Sequence, residues 1–583
     1  MDQKQEIALK QRLVQLGRAQ RFAEAERVAR ALLANFGNDL QLWFALAQML
    51  LAQGKREDAL VAFMRVSGMR SDMQLIALDK VTDLAQELGR FDIGFQAALV
   101  LRDLAPESAA NHFKAGYFAW SSQRQTESLG FFEQAVNLEP DNSGFSLQLA
   151  KALTHQGKVE EALACYERVF ERVSPDVEIY SQYLYTLNYV ENISEESLFQ
   201  LHCKFGAKLE EARPDKHFRV EPLLNRRIRI GYVSKDFCYH AVACFFIPLL
   251  EAHNAESFEI FCYSDVPRPD AVTAAIRSTS EHWCDSVAMD DAALCQKIES
   301  DSIDVLVDLV GYAGGRRAGL FARRAAPVQV SFLGYPNTSG LSRMDYRITD
   351  NTCDPEGESE QYYTEKLVRL DDGFLSYRPL IAELDIVQAP CIENGYLTFG
   401  CFNVFPKVSE SVLKSWCEML LALPDSKLLI KAQVFSEVAL QDLVRSRFAK
   451  YGVTSERLIF KGRLDSNEEH FQEYSNVDVH LDTHPYNGTT TTCDALWMGV
   501  PTLCQLGDSH RSRVSASIMS RVDLAEFVCD GTEDYIQKAV DLAGDFSRLN
   551  RLRKGMRSRV FWSGKVLANA LEEHYKKFMA AKK

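Results

Sequence analysis

The sequence predicts a helical repeat array followed by two parallel α/β sheets. Three observations carry this. Small residues recur every 34 or 35 positions through the first third of the chain. Continuous apolar strands then alternate with amphipathic helices, the pattern of parallel sheets covered on both faces. A turn rich in Gly and Thr, residues 487–494, lies between two of those strands.

The repeat comes first. Ala25, Ala59, Gly94, Ser128 and Ala162 keep the period, with turn glycines five residues before three of them at Gly54, Gly89 and Gly157. Pro106 and Pro140 also keep it. Trp43, Leu46, Ala47, Ala59 and Phe63 fit the tetratricopeptide pattern, paired helices with small residues where they cross. Such repeats stack into a superhelix whose concave face binds protein. The array is assigned to residues 1–176, about five repeats. The Tyr-rich segment Tyr183 to Tyr189 leaves the period, and 177–225 reads as a helical connector.

Composition narrows the function. The 583 residues exceed one core and call for several domains. A net charge of −14 excludes a general nucleic-acid binder. The start of the chain lacks a signal-peptide core, and no apolar run reaches the ~18 residues of a membrane span. The 14 cysteines are scattered without a Cys-x-x-Cys pair. Cys238, Cys244, Cys401 and Cys504 read as buried free thiols, so a reducing, cytoplasmic setting is expected, with no disulfide framework or structural zinc.

Strands are expected at Arg227 to Val233, Phe258 to Tyr263, Ile303 to Val310 and Val328 to Phe332. A second set runs at Tyr396 to Phe399, Lys427 to Lys431, Arg457 to Phe460, Val477 to Leu481 and Thr502 to Leu506. Ser409 caps a helix that Pro424 stops. The two sets give lobes at 226–385 and 386–583. Ligands of such sheets bind beyond the carboxyl ends of the strands. There Gly488 allows a tight turn, and Thr489 to Thr492 open a helix whose free N–H groups, dipole and hydroxyls suit a phosphate. Asp494 follows Thr490 by four residues on the same face. A Thr-rich helix cap with no ligand has the same pattern.

Several blocks then resemble one family. They are Gly231-Tyr232-Val233-Ser234-x-Asp236-Phe237-x-x-His240, Ala326 to Val330, Leu333-Gly334-Tyr335-Pro336-Asn337-Thr338-Ser339-Gly340 with Asp345-Tyr346, Phe402-Asn403-x-x-x-Lys407, and Asn487 to Pro501. Their order, with the repeats in front, is similar to the tetratricopeptide-linked O-GlcNAc transferases and the SPINDLY-type O-fucosyltransferases. The resemblance implies a GT-B fold of two Rossmann-like lobes, with the donor held mainly by the second. It implies inverting, metal-independent transfer of a sugar to Ser or Thr of proteins, with no cofactor beyond the nucleotide sugar and with protein acceptors gathered by the repeats.

Roles follow from the same resemblance. Lys407, Thr490 and Thr491 resemble the diphosphate-binding groups, with Gly488, Thr489 and Gly334 among the donor contacts. Asp494 resembles the carboxylate near the ribose. His470 resembles the histidine that stacks on the nucleobase. His240 resembles the active-site histidine, which orients or deprotonates the acceptor hydroxyl; a donor phosphate oxygen or a relayed water is the alternative base. His510, in Gly507-x-x-His510-x-Ser512-Arg513-Val514, reads as a donor contact or a structural residue. Departures leave the donor open. Thr489 stands where the animal enzymes carry histidine, and Val404 where they carry a polar residue. The Thr489–Thr492 run, Asn337 and Arg347 to Asp350 lean to SPINDLY, whereas Trp497, Ser339-Gly340 and Ser512-Arg513-Val514 lean to the N-acetylglucosamine branch. UDP-GlcNAc is the preferred donor and GDP-fucose the second. The few repeats and uninterrupted join between lobes point to a bacterial member. A non-catalytic repeat adaptor is the reading from another class.

Overall fold

The computed structural model describes residues 3–582 except 173–176, 212, 214, 215, 217, 219–225, 315 and 561. They form two compact units, 1–153 with 171–173, and 154–170 with 174–583.

Helices α1 (Gln3–Arg18) to α9 (Ser143–His155) run through the first unit. The periodic small residues are the crossing points. Ala25, Ala59 and Ser128 are fully buried, and a Cβ on Gly94 would lie 2.1 Å from the Phe118 ring. The turns repeat more strictly than the glycines do. Gln20, Gly54, Gly89, Gln123 and Gly157 all have positive φ, 56–77°. Two repeats therefore place glutamine where glycine is favoured, at roughly 1–2 kcal/mol each, which is why the sequence shows only three turn signals.

Most of α10 (Val159–Arg172) groups with the second unit, although its sequence continues the repeat. The turn before it rests on the second lobe: the Cβ position of Gly157 lies 3.2 Å from the Phe405 ring. The expected connector contains α11 (Val177–Leu187) and α12 (Glu195–Glu211). Pro175 and most of 212–225 fall outside the described residues.

Two all-parallel sheets follow. The first holds β1 (Ile228–Ser234), β2 (Phe258–Ser264), β3 (His282–Asp285), β4 (Val305–Asp308), β5 (Val328–Ser331), β6 (Tyr346–Thr349) and β7 (Lys366–Arg369), in the order 3-2-1-4-5-6-7. The second holds β8 (Thr398–Cys401), β9 (Lys427–Lys431), β10 (Leu458–Lys461), β11 (Val479–Leu481), β12 (Thr502–Gln505) and β13 (Val528–Cys529), in the order 10-9-8-11-12-13. This is the expected pair of Rossmann-like lobes. β3, β6, β7 and β13 escaped the sequence reading because they are only two to four residues long, and the first three also carry polar residues. β6 buries Arg347, whose guanidinium donates to the Tyr335 and Asn337 carbonyls.

Each sheet reverses direction of growth once, between β1 and β4 and between β8 and β11, and these reversals open the crevices that hold ligands. The last helix, Gly564–Ala581, assigned by sequence to the second lobe, packs on the first. Phe578 stacks on Tyr346 at 3.7 Å, and Glu572 accepts from the Asn254 N–H at 2.9 Å. All 14 cysteines are free; Cys244, Cys401 and Cys504 are buried, whereas Cys238 is only half-buried. No helix among the described residues is long and apolar enough to cross a membrane.

Candidate active site

In the second lobe β8 feeds the loop to Lys407, and β11 feeds the loop to Gly488. Asn403 joins them. Its amide donates to Asp482 (2.9 Å) and Thr483 (3.1 Å), and its oxygen accepts from the Thr491 hydroxyl at 2.5 Å. The Gly488 N–H donates to the same Asp482 carboxylate at 2.7 Å. A Cβ on Gly488 would sit 2.2 Å from the Thr491 hydroxyl, so only glycine fits. The helix Thr490–Trp497 then begins, and Thr489 at its N-cap makes no side-chain cap bond. The four threonines divide. Thr492 turns inward to the Gly488 carbonyl and Ser515. Thr491 holds Asn403. Thr489 and Thr490 are half-exposed, with hydroxyls free for a ligand beside the open N–H groups of the helix.

Two lysines face this helix start. Lys407 donates to the Asn487 carbonyl at 2.6 Å and lies 3.8 Å over the Tyr486 ring. Burial lowers its pKa to about 8, against the pull of Asp482. Lys431 ends β9, and its ammonium is 2.6 Å from Nδ1 of His470. Burial lowers it too to about 8, with Glu473 and Asp494 opposing. His470 is held neutral: burial, then Lys431, bring its pKa down to about 3. Its ring lies among Phe402, Phe471 and Tyr474, a flat neutral surface suited to stacking a base. Asp494 is buried and accepts from the Tyr377 hydroxyl. Burial raises its pKa to about 7, while the Tyr377 bond and Lys431 favour the carboxylate.

His240 projects from the first lobe as the N-cap of α13 (Ala241–Ala252). Nδ1 accepts from the Val242 N–H at 3.3 Å, and Asp236 stands 3.7 Å away. The side chain is 45 % exposed. The cleft walls still withdraw enough water to lower its pKa, partly offset by Asp236. The preceding Tyr239 faces the second lobe. Burial pushes its phenol up to about 12, and the Asp494 and Glu468 charges add to the rise. The cleft thus has His240 on one wall and the Thr489–Asp494 helix on the other.

Two expected donor contacts also have structural duties. Gly334 is fixed by packing within the first lobe, where a Cβ would lie 2.0 Å from the Leu309 carbonyl. His510 is buried with Nδ1 2.7 Å from Asp354, a contact between the lobes that holds Asp354 far below the usual carboxylate range.

A family model described as "Glycosyl transferase family 41" matches residues 175–377 and 388–568, well over half of the chain. The chain belongs to glycosyl transferase family 41. A tetratricopeptide repeat model matches residues 15–67. Among solved structures, a mutant of Thermobaculum terrenum O-GlcNAc transferase superposes on this family 41 chain with a TM-score of 0.80 and 31 % identity, over 88 % of this chain and 99 % of that one. A curated relative from Arabidopsis thaliana, "Probable UDP-N-acetylglucosamine--peptide N-acetylglucosaminyltransferase SPINDLY", is 35 % identical over 403 residues, 67 % of this chain and 44 % of the relative. A second from the same plant, of the same description but named SEC, is 30 % identical over 401 residues, 66 % of this chain and 40 % of the relative. The chain spans less than half the length of these curated relatives.

Three groups of this family 41 cleft were missed by sequence reading: Lys431, Tyr377 and Asp482. Lys431 and Asp482 left a signal, a charged residue at or just past the carboxyl end of a predicted parallel strand. Tyr377 sits more than 100 positions from Asp494, and nothing local links them. Arg511 was also missed. It caps α11 through the Asn188 carbonyl (2.8 Å) and so ties the connector to the second lobe. Tyr377 yields a pH test. Tyr377→Phe removes a bond that favours ionised Asp494, so the carboxyl's pKa rises above 7. Relative to wild type at the same pH, nucleoside-diphosphate affinity should then fall about tenfold at pH 7, and the gap should close near pH 8.5, where the carboxyl is ionised in both. Calorimetry at both pH values checks this; an equal loss at both would remove Asp494 from the site.

Proposed function

We propose that this chain is an inverting glycosyltransferase that moves a sugar from a nucleotide-sugar donor to Ser and Thr hydroxyls of proteins without a metal. The observation that carries the reading is the cationic, N–H-rich crevice of Lys407, Thr489 and Thr490, with His240 on the facing wall. The acceptor oxygen attacks the anomeric carbon on the face opposite the diphosphate. A new C–O bond forms as the bond to the diphosphate breaks, and the electron pair goes to the leaving phosphate oxygen. The Lys407 ammonium and the helix N-terminus stabilise that charge. His470 offers the base a stacking face, and Asp494 with Lys431 meets the ribose. Nδ1 of His240 accepts from Val242, so the proton lies on Nε2, and the ring serves as a donor that orients an oxygen. The acceptor proton leaves to a donor phosphate oxygen or water.

N-acetylglucosamine from UDP-GlcNAc is the first donor, supported by the names of the relatives. GDP-fucose is the second, favoured by the Thr489–Thr492 run. The purified protein should hydrolyse one of a panel of nucleotide sugars, read by mass spectrometry, and the sugar released names the donor. Hydrolysis of none would support an adaptor that binds partners without chemistry. Activity should survive EDTA, because Lys407 and the helix start carry the leaving-group charge. Loss restored by Mn²⁺ or Mg²⁺ would contradict the metal-independent step. The repeats are proposed to gather protein acceptors.

A further inference from the structure

The first sheet has its own reversal, between β1 and β4, and the established motifs leave it unused. A cavity of about 460 Å³ opens there, beyond the carboxyl ends of the two strands. Asp236 and Asp308 line it, each more than nine-tenths buried. Asp308 accepts from the Val310 and Gly311 N–H groups, both on Oδ1, at 2.9 and 3.0 Å. Its Oδ2 has no partner among the described residues. Two further carboxylates line the wall, Glu178 and Asp265, and Asp265 has both oxygens on the Arg317 guanidinium.

The basic groups of the wall are already engaged. Arg317 also reaches Asp291 (3.1 Å) and the Ser286 carbonyl (2.8 Å). Arg316 donates to the Val287 carbonyl. Lys235 lies 3.4 Å from Asp236. What the cavity offers is therefore an unspent carboxylate oxygen, which requires a donor. A divalent cation is poorly served, since Asp265 is committed to Arg317 and one oxygen of Asp308 to backbone. A long cationic side chain fits: its stem fills the cavity and its head meets Asp308. Burial holds the Asp308 pKa up to about 6, and a cation beside it would restore the charged form.

Asp236 touches both the cavity and His240. An extended polypeptide advances about 3.3 Å per residue, so a chain whose hydroxyl faces His240 brings a neighbouring residue over this opening. We propose that the β1/β4 cavity receives a Lys or Arg side chain of the acceptor protein close to the modified hydroxyl, with Asp308 as its partner. This rests on the transferase reading above.

The test uses the full chain and short peptides with one central Thr and a single Lys, Arg, Ala or Glu at each flanking position. Binding is read by fluorescence anisotropy with UDP or GDP present, and nucleotide-sugar hydrolysis is read in parallel. Wild-type protein should bind the best Lys or Arg peptide about tenfold more tightly than its Ala counterpart. Asp308→Asn keeps the oxygen that Val310 and Gly311 use and should erase the difference. Val287→Trp, at the exposed rim of the cavity, should erase it by filling the mouth. Hydrolysis should stay unchanged in both variants. Equal binding of Lys and Ala peptides by wild type, or a preference that survives both variants, overturns the proposal. A normal preference with no hydrolysis of any nucleotide sugar would support the cavity and sink the transferase reading instead.

Discussion

Replacing Lys407 by alanine is expected to lower the rate of sugar transfer by about 10²–10³ while the protein stays folded. The ammonium stands beside the helix start where, on the proposed reading, the diphosphate charge develops, tethered to the Asn487 carbonyl and the Tyr486 face. Burial of this charge opposes folding, as its lowered pKa shows. Removing it should leave the melting temperature unchanged or higher. A large loss of stability together with activity would make Lys407 a structural residue. The pH profile gives a second check. A lysine whose pKa is lowered to about 8 loses its charge as pH rises through 8, so kcat/KM should fall on the alkaline side. Asp494, raised to about 7, must lose its proton to accept from the ribose, so kcat/KM should also fall on the acid side. The optimum is expected between about 7 and about 8. Lys407→Arg, which does not deprotonate, should make the alkaline fall shallower without moving it, because Lys431, also lowered to about 8, still sets it. A profile flat from pH 6 to 9 would remove both groups from the reacting complex.

His240 carries the second large effect. Alanine at this position removes a helix cap as well as an imidazole, because Nδ1 accepts from the Val242 N–H. Asparagine is a strong N-cap and separates the two duties. His240→Asn should keep the melting temperature yet lose about 10²–10³ in turnover, the expected loss for one oriented donor. Nucleotide affinity, measured by calorimetry, should change little, since the diphosphate groups lie on the other lobe. The neutral ring is the working form, and burial lowers its pKa, so the acid limb assigned to Asp494 should persist in the variant. Near-normal turnover in His240→Asn would reduce the residue to its cap. An equal fall in nucleotide affinity would place it in the donor site.

Much of the cleft was legible because its motifs are local. Thr490 and Asp494 lie four residues apart on one helix start, so spacing predicts their shared face, whereas Asn403 and Lys407, on one loop, were legible through the family resemblance. The strands that carry them were legible for the same reason: β9 was read to the residue, and the core of β11 by its apolar run. What escaped was non-local or weakly apolar. The polar strand β6 is held by the bonds of buried Arg347 rather than by a hydrophobic pattern. Gly334 and His510 sit in blocks that resemble donor contacts, yet packing against Leu309 and a bond to Asp354 fix them.

The sequence by itself determined the repeat period, the two-sheet class and the Gly488 turn that opens a Thr-rich helix, since each depends on local pattern. The tertiary structure decided which threonines of that turn stay free, which tautomer His240 presents, and that Lys431 and Tyr377 share the pocket with His470 and Asp494. It also decided that most of α10 belongs with the second unit and that the last helix returns to the first lobe. Those outcomes depend on hydrogen bonds and burial between segments tens to hundreds of residues apart. Burial sets the protonation of Lys407, Lys431 and Asp494, and burial is a property of the assembled fold rather than of any local stretch of chain.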